Sequence, residues 1–316
     1  MASFKDDAER ELLTVLPDDA RLVRAFLSAA AKQGGFLHLV GKRKNLVFVL
    51  SSYEECLAVV KLLRVLYPTE FEISAEHVKS GMKKGSTAFS VAVPTGFTGQ
   101  AVEDLSLAEG GVPEWVGRDR AMAESYLKGL FLVCGSVYVP SLESEEEKRE
   151  GYHFEFAVDG EGYAEELAAL IAGFGVQVKR SERGAASLVY IKDKDEILSM
   201  LAVLGLADSA LRLRGIINER ETANSINRAI ICETANLDKT YAAASRRLME
   251  IGAIEESVGL ESLTPALRDT ANARLEYPQA SMSELADILG VSKSCLNHRL
   301  RKLSEIAREN GFSEEE

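Results

Sequence analysis

The chain has 316 residues, 46% apolar and 27% charged, with a formal net charge of −12. That is the composition of a globular protein long enough for about one to three domains with sizeable cores. An acidic total of this size argues against a surface that coats nucleic acid all over, and it leaves local basic patches to be found. No run of about 18 apolar residues occurs, so no membrane helix is expected. The opening "MASFKDDAER" is polar and acidic, unlike a secretory signal. Cys56, Cys134, Cys232 and Cys295 are far apart in sequence, without metal-ligand spacing. A cytoplasmic chain with reduced thiols and no metal or other cofactor is therefore expected.

In chain order, residues 20–33 have helical spacing in Leu22, Val23, Phe26, Leu27 and Ala30. "FLHLV" and "LVFVL" follow as a hairpin around the basic turn "GKRKN". "SYEECLAVVKLLRVLY" reads as an amphipathic helix ended by Pro68, and "FEISAEHV" with "STAFSVAVP" as a second hairpin around "KSGMKKG". Residues 94–118 read as a connection with a helix at its acidic centre. The order then recurs: a helix in "RAMAESYLKGLFLVCG", strands in "SVYVP" and "YHFEFAVD", a helix in "GEGYAEELAALIAGFG", strands in "VQVKR" and "SLVYIK", and a closing helix in "DKDEILSMLAVLGL". Aligning residues 48–50 with 156–158 gives an offset of 108 residues, far too long for a solenoid repeat. The first part is therefore an α+β domain over 1–206, built of two related halves at about 1–93 and 119–206.

From Ser209 onward strand signals vanish, and residues 210–254 are continuously helical in period and rich in Ala and Asn. Residues 207–222 are expected to be a linker and 223–316 an all-α domain. Within it, Ser281 and Glu284 have capping-box spacing, Gly290 supplies a turn, and Ser292 can cap the next helix. Leu285, Ile288, Leu289, Leu296, Leu300 and Leu303 form an apolar seam, with the small Ala286 where two helices would cross. Residues 288–304 contain no acid. The spacing leaves Lys293, Ser294, Asn297, His298 and Arg301 facing outward, the positions that enter the major groove in a helix-turn-helix. Asn and Lys can read base edges there, while Arg299 and Lys302 can hold phosphates.

Other basic positions are auxiliary candidates for DNA or partner contact. They are Lys42, Arg43 and Lys44 in one turn, Lys79, Lys83 and Lys84 in another, and Arg220, Arg228 and Lys239 beside Asn218, Asn224, Asn227 and Asn236. For the Asn-rich stretch two readings stay open: helix caps with inter-helix hydrogen bonds, or phosphate contacts. For the turns the alternative is plain solvation. The charged run "ESEEEKRE" (143–150) reads as a solvated loop. His38, His77, His153 and His298 lack any nucleophile motif, and no GxSxG, P-loop or GxGxxG occurs.

"YLKGLFLVCGSVYVP" (126–140) resembles the motif of the LAGLIDADG homing endonucleases. The resemblance implies two helices packed side by side, each ending in an acid before Gly, with the acids holding a divalent metal. Gly129 and Gly135 would let such backbones approach. Here Cys134 precedes Gly135, and the first half, "FLSAAAKQGGFLHL", ends in Gln33-Gly34-Gly35, so the metal positions are degenerate. With "NERETANSINRAIICETANLDKT" (218–240) and "RLEYPQASMSELADILGVSKSCLNHRLRKL" (274–303), the chain resembles the WhiA family over nearly its whole length. The first motif, "AAAKQGG", is longer than that family usually shows. The resemblance implies a catalytically inactive LAGLIDADG-like αββαββα domain followed by a sigma-region-4-like helix-turn-helix. It also implies a transcriptional regulator of cell division, chromosome segregation or sporulation, nucleoid-associated, with double-stranded DNA and another transcription factor or RNA polymerase as partners. A metal-dependent endonuclease and a protein-interaction scaffold are the alternatives.

Overall fold

The structure is a computed structural model, and it describes residues 3–40, 43–77, 87–140 and 151–312. It divides into unit 1, Met1–Arg220, and unit 2, Glu221–Glu316.

Unit 1 is built around two helices of like construction. α2 (Ala20–Gly34) begins at Asp19, whose carboxylate accepts from the Arg21 and Leu22 amides at 2.9 and 3.4 Å. α6 (Arg120–Cys134) begins at Asp119, which accepts from the Ala121 and Met122 amides at 2.8 and 3.3 Å. A side-chain acceptor at this place satisfies amides the helix leaves open. Each helix runs directly into a strand at Gly35 or Gly135.

After α2 come β1 (Gly35–Val40), β2 (Arg43–Leu50), α3 (Tyr53–Leu66), β3 (Glu72–His77) and β4 (Thr87–Val93). A connection carries α4 (Thr95–Asp104) and α5 (Glu114–Gly117). After α6 come β5 (Gly135–Tyr138), β6 (His153–Asp159), α7 (Glu161–Ala172), β7 (Lys179–Arg183), β8 (Ala186–Ile191) and α8 (Lys194–Val203). The two antiparallel sheets have matching orders, β1-β2-β4-β3 and β5-β6-β8-β7. Gly35 pairs with Phe48, and Gly135 with Phe156. The two halves thus share one register, in which Phe156 stands where Phe48 stands and Cys134 where Gly34 stands.

The halves share one core. α2 and α6 cross with Phe26, Ala29, Ala30, Leu127, Leu130 and Phe131 buried between and beside them. Ser125 Oγ donates to the Leu22 carbonyl of α2 at 2.7 Å. A Cβ at Gly129 would run into the carbonyl oxygen of Phe26 and lie 2.8 Å from its carbonyl carbon. Gly135 has a different reason: a Cβ there would lie 2.7 Å from Cα of Phe131 in its own helix. Of the two glycines expected to bring the helices together, Gly129 does so. Gly135 lets α6 turn into β5.

Several expectations are corrected. Residues Phe4–Thr14 form an additional helix, α1, which buries Phe4, Ala8 and Leu12. Its polar composition hides an apolar stripe only three residues strong. The connection has two helices, α4 at its start and the short α5 near its end, where one was expected at its centre. The strand expected at 176–180 lies at Lys179–Arg183, because Val176 is taken into the core. The stretch 207–222, expected as a linker, carries no break in the helical spacing read over 210–254. α9 runs unbroken from Ala207 to Ser257. Leu213 and Ile217 belong to the core of unit 1, and Ile251 and Ile254 to that of unit 2. Glu11 of α1 caps the start of α9, accepting from the Asp208 and Ser209 amides at 2.8 Å each and from Ser209 Oγ at 2.6 Å. Asn224 and Asn227 are exposed positions inside this helix, so neither caps nor breaks it.

Unit 2 packs the last turns of α9 with α10 (Pro265–Glu276), α11 (Met282–Ile288) and α12 (Lys293–Glu309). Its core contains Leu285, Leu296, Leu300 and Leu303. It also buries one carboxylate: Glu250, only 1% exposed, accepts from Arg246 Nε at 3.3 Å, Arg247 Nη1 at 2.7 Å and Ser304 Oγ at 2.6 Å. A buried charge held by several donors persists because each lost partner leaves uncompensated desolvation.

Two stability outcomes follow. Gly129→Leu is expected to destabilise unit 1 by about 3 kcal/mol or more, the upper end of overpacking costs, because the obstacle is backbone. The lone tryptophan, Trp115, packs within unit 1, donating to Ser106 Oγ at 3.0 Å. Its fluorescence in a urea titration reads the loss, and an unchanged midpoint would refute the close contact. Glu250→Ala is expected to destabilise unit 2 by roughly 1–3 kcal/mol, seen as an earlier loss of helical circular dichroism with the Trp115 transition unmoved.

Candidate nucleic-acid interface

The sequence places a turn and a capped helix after Gly290, and local chemistry makes both. Ser281 Oγ accepts from the Glu284 amide at 3.3 Å while Glu284 accepts from the Ser281 amide at 2.8 Å, so α11 starts on a capping box. Burial of neither group is needed. These hydrogen bonds hold the Glu284 carboxyl below its ordinary pKa. Gly290 has φ +63°, a conformation that suits a residue without Cβ. Ser292 Oγ then accepts from the Cys295 amide at 3.2 Å and starts α12. Of the expected DNA-binding residues, Ser292 therefore has a structural duty at the helix start.

Leu296, Leu300 and Leu303 point into the core of unit 2, with Leu285 and Ala286 of α11 against them. Ile288 is corrected: it is 49% exposed, because α11 turns Leu285, Ala286 and Leu289 toward the core and Ile288 to the other side. The opposite side of α12 carries Lys293, Ser294, Asn297, His298, Arg301 and Lys302, all exposed. The structure brings these six together on one helix side. No acid lies among them before Glu305, which sits 3.8 Å from Arg301 and 3.2 Å from Lys302. Such exposed pairs are worth little, so Glu305 leaves both cations available. Arg299 is half-buried, and its Nη1 donates to the Ala266 carbonyl of α10 at 3.4 Å. Its position ties two helices together as well as presenting charge.

The auxiliary candidates are scattered. Lys42, Lys79, Lys83 and Lys84, with the run 143–150, lie outside the described residues, as does the side chain of Arg43. Lys44 is exposed on β2. Arg220 Nη2 donates to the Pro140 carbonyl at 3.2 Å, and its guanidinium lies 5.4 Å from the Tyr152 ring centre. That contact fastens α9 to unit 1. Arg228 and Lys239 are exposed on α9. Arg246, Arg247 and Arg274 were not singled out by the sequence. The spacing of Arg246 and Arg247 four and three residues before Glu250 is the signal that marks two of them.

The helix ends of unit 1 do not fit a divalent metal. Gly34 has no side chain, and the place of its Cβ is taken by Val133, whose Cγ1 would be 2.7 Å away. Burial pushes the Cys134 thiol well above its usual pKa, with Asp159 adding to the effect, and Sγ donates to the Leu130 carbonyl at 3.3 Å. A neutral, half-buried thiol is a poor ligand for a hard cation. Gln33 Oε1 accepts from the Asp159 amide at 3.0 Å, a link between the two halves. Among the described residues, no three His, Cys, Asp or Glu side chains gather as a metal site, and no helix is long and apolar enough to cross a membrane.

Comparison with known proteins gives the same architecture. The family model described as the WhiA LAGLIDADG-like domain matches residues 123–223, and the WhiA C-terminal HTH domain matches 226–307. A protein of Staphylococcus epidermidis named probable cell division protein WhiA is 32% identical over 315 residues, 96% of each chain. One of Clostridium acetobutylicum with the same name is 35% identical over 302 residues, covering 90% of this chain and 91% of the relative. The crystal structure of full-length DUF199/WhiA from Thermatoga maritima, 25% identical, covers 99% of this chain and 100% of its own with a TM-score of 0.60. A duplicated LAGLIDADG-like α/β unit, followed by a helical helix-turn-helix unit and matched along nearly the full length by these relatives, means that the chain belongs to the WhiA family.

Proposed function

We propose that this protein is a sequence-specific DNA-binding regulator of transcription, with α12 as its recognition helix. The observation that carries the reading is the acid-free exposed side of α12, held out by leucines buried on the other side. Lys293, Ser294, Asn297, His298 and Arg301 enter the major groove, where an Asn amide can pair with adenine and a cation with guanine. Lys302 and Arg299 meet phosphates. The net charge of −12 keeps the rest of the surface from adhering to DNA non-specifically, so affinity concentrates at the helix. The relatives' name supports a role in cell division, and regulation of genes for division, chromosome segregation or sporulation accords with it. The protein would then act at the nucleoid, with another transcription factor or RNA polymerase as a partner.

Unit 1 serves in this reading as a scaffold or auxiliary DNA or partner contact and cuts nothing. Its support is the chemistry of Gly34 and Cys134, one position filled by Val133 and the other by a neutral thiol.

Full-length protein is expected to bind a selected target duplex with an affinity that falls steeply with salt. Replacing Lys293, Asn297 and Arg301 together by Ala should erase the preference for target over random duplex, each good base contact being worth ~1–3 kcal/mol. Lys302→Ala should weaken both duplexes alike and lower the salt slope by about one. A triple variant that still discriminates would displace α12 from the recognition role. With Mg²⁺ or Mn²⁺, purified protein should leave supercoiled and target DNA intact. Cleavage that vanishes on substituting Cys134 or Gln33 would overturn the non-catalytic reading.

A further inference from the structure

A cavity of about 320 Å³ opens between α9, α10 and α12 within unit 2. Its volume is roughly ten times a water molecule's share of the liquid, enough for a phosphoryl group with some hydration. Lys239, Arg247, Arg274 and Asn297 bring its polar groups, and Ala243 and Leu300 form part of its apolar wall. Among the described residues no carboxylate lines it.

Arg274 is the unusual member. It is 2% exposed, yet among the described residues no carboxylate answers its charge. Its Nη1 donates to the Ala280 carbonyl at 2.7 Å, which holds the turn between α10 and α11. Its Nε is buried and has no hydrogen-bond partner among the described residues. Burial, and after it the charge of Arg247, holds Arg274 below its ordinary pKa. Arg247 is committed on one side to Glu250 and Ser304. Buried charges are otherwise paired, and a guanidinium without a carboxylate, in the wall of a cavity lined by two further cations, calls for an anion. Guanidinium and ammonium groups together, with an amide donor, match the oxygens of a phosphate.

We infer that this cavity is a phosphate-binding site, formed by Arg274 and Arg247 at its base, Lys239 at its mouth and Asn297 at the rim that it shares with the exposed side of α12. The occupant is either a phosphate of the DNA backbone or the phosphate of a free molecule. The assignment of the cavity does not depend on DNA binding; only the choice between these two sources does.

The test uses the full chain and inorganic phosphate at fixed ionic strength, with chloride as the balancing anion, followed by titration calorimetry and ³¹P line broadening. Saturable phosphate binding is expected. Lys239→Gln, an exposed change, should weaken it about fivefold, the weight of one exposed charge about 4 Å from the anion. Arg274→Met should abolish it, and its circular dichroism melt shows whether the fold survives. Absence of saturable binding overturns the site, as does binding that Lys239→Gln leaves at wild-type strength. The target duplex then separates the sources. Displacement of bound phosphate by duplex, with weaker duplex binding by Lys239→Gln, identifies a backbone phosphate. Phosphate retained on the duplex-bound protein, with duplex affinity unchanged in that variant, identifies a free ligand. A chain that binds phosphate and no duplex keeps the site and refutes the regulator reading alone.

Discussion

The contact on which unit 1 depends is the meeting of the Phe26 carbonyl with Gly129, where two helix backbones touch without an intervening side chain. It sets how near α2 and α6 lie, and each sheet is covalently continuous with one of these helices through Gly35 or Gly135. Moving one helix outward would therefore move a sheet. Ser125, bonded to the Leu22 carbonyl, adds a polar tie that fixes the sliding position of the pair. Dense interiors transmit such displacements because there is little free volume to absorb them.

The same closeness bears on chemistry. In a homing endonuclease of this fold the helix ends would need room for carboxylates and a hydrated metal. Here Val133 presses on Gly34, and Cys134 is turned back onto its own helix. The place of one acid is taken by Val133, while a cavity of about 350 Å³ remains beside Gln33, Gly35 and Asp159.

Unit 2 solves a different problem: it must hold a polar helix side toward solvent in a chain of net charge −12. Leucines at 296, 300 and 303 hold the inner side, and Glu250 ties α9 to α12 through Ser304. Charge is partitioned locally. Residues 288–304 contain no acid, and cations stand on α12 and around the cavity of Arg274. Screening over about 10 Å at ordinary salt makes that local arrangement matter more than the sum.

Much was legible in the residues because it depends on short-range rules. Alternation and helical spacing gave the hairpins of the first half and most strands of the second, Ser281 and Ser292 marked helix starts, and the recurring order of elements, 108 residues apart, revealed the duplication. The outward side of α12 was readable from Leu296, Leu300 and Leu303 alone, since a helix fixes which positions oppose which. What tertiary structure decided lies at longer range. α1 is helical where its sequence reads as a polar tail, because Phe4, Ala8 and Leu12 find a surface to cover and Glu11 finds the start of α9. The helical spacing of 210–254 was readable, but that Leu213 and Ile217 join the unit 1 core, so that 207–222 is no linker, was not. Val133 against Gly34 and the unpaired Nε of Arg274 involve residues on different elements, whose approach no local pattern records. Sequence spacing specifies what a segment can bury, and only the assembled chain determines what it is buried against.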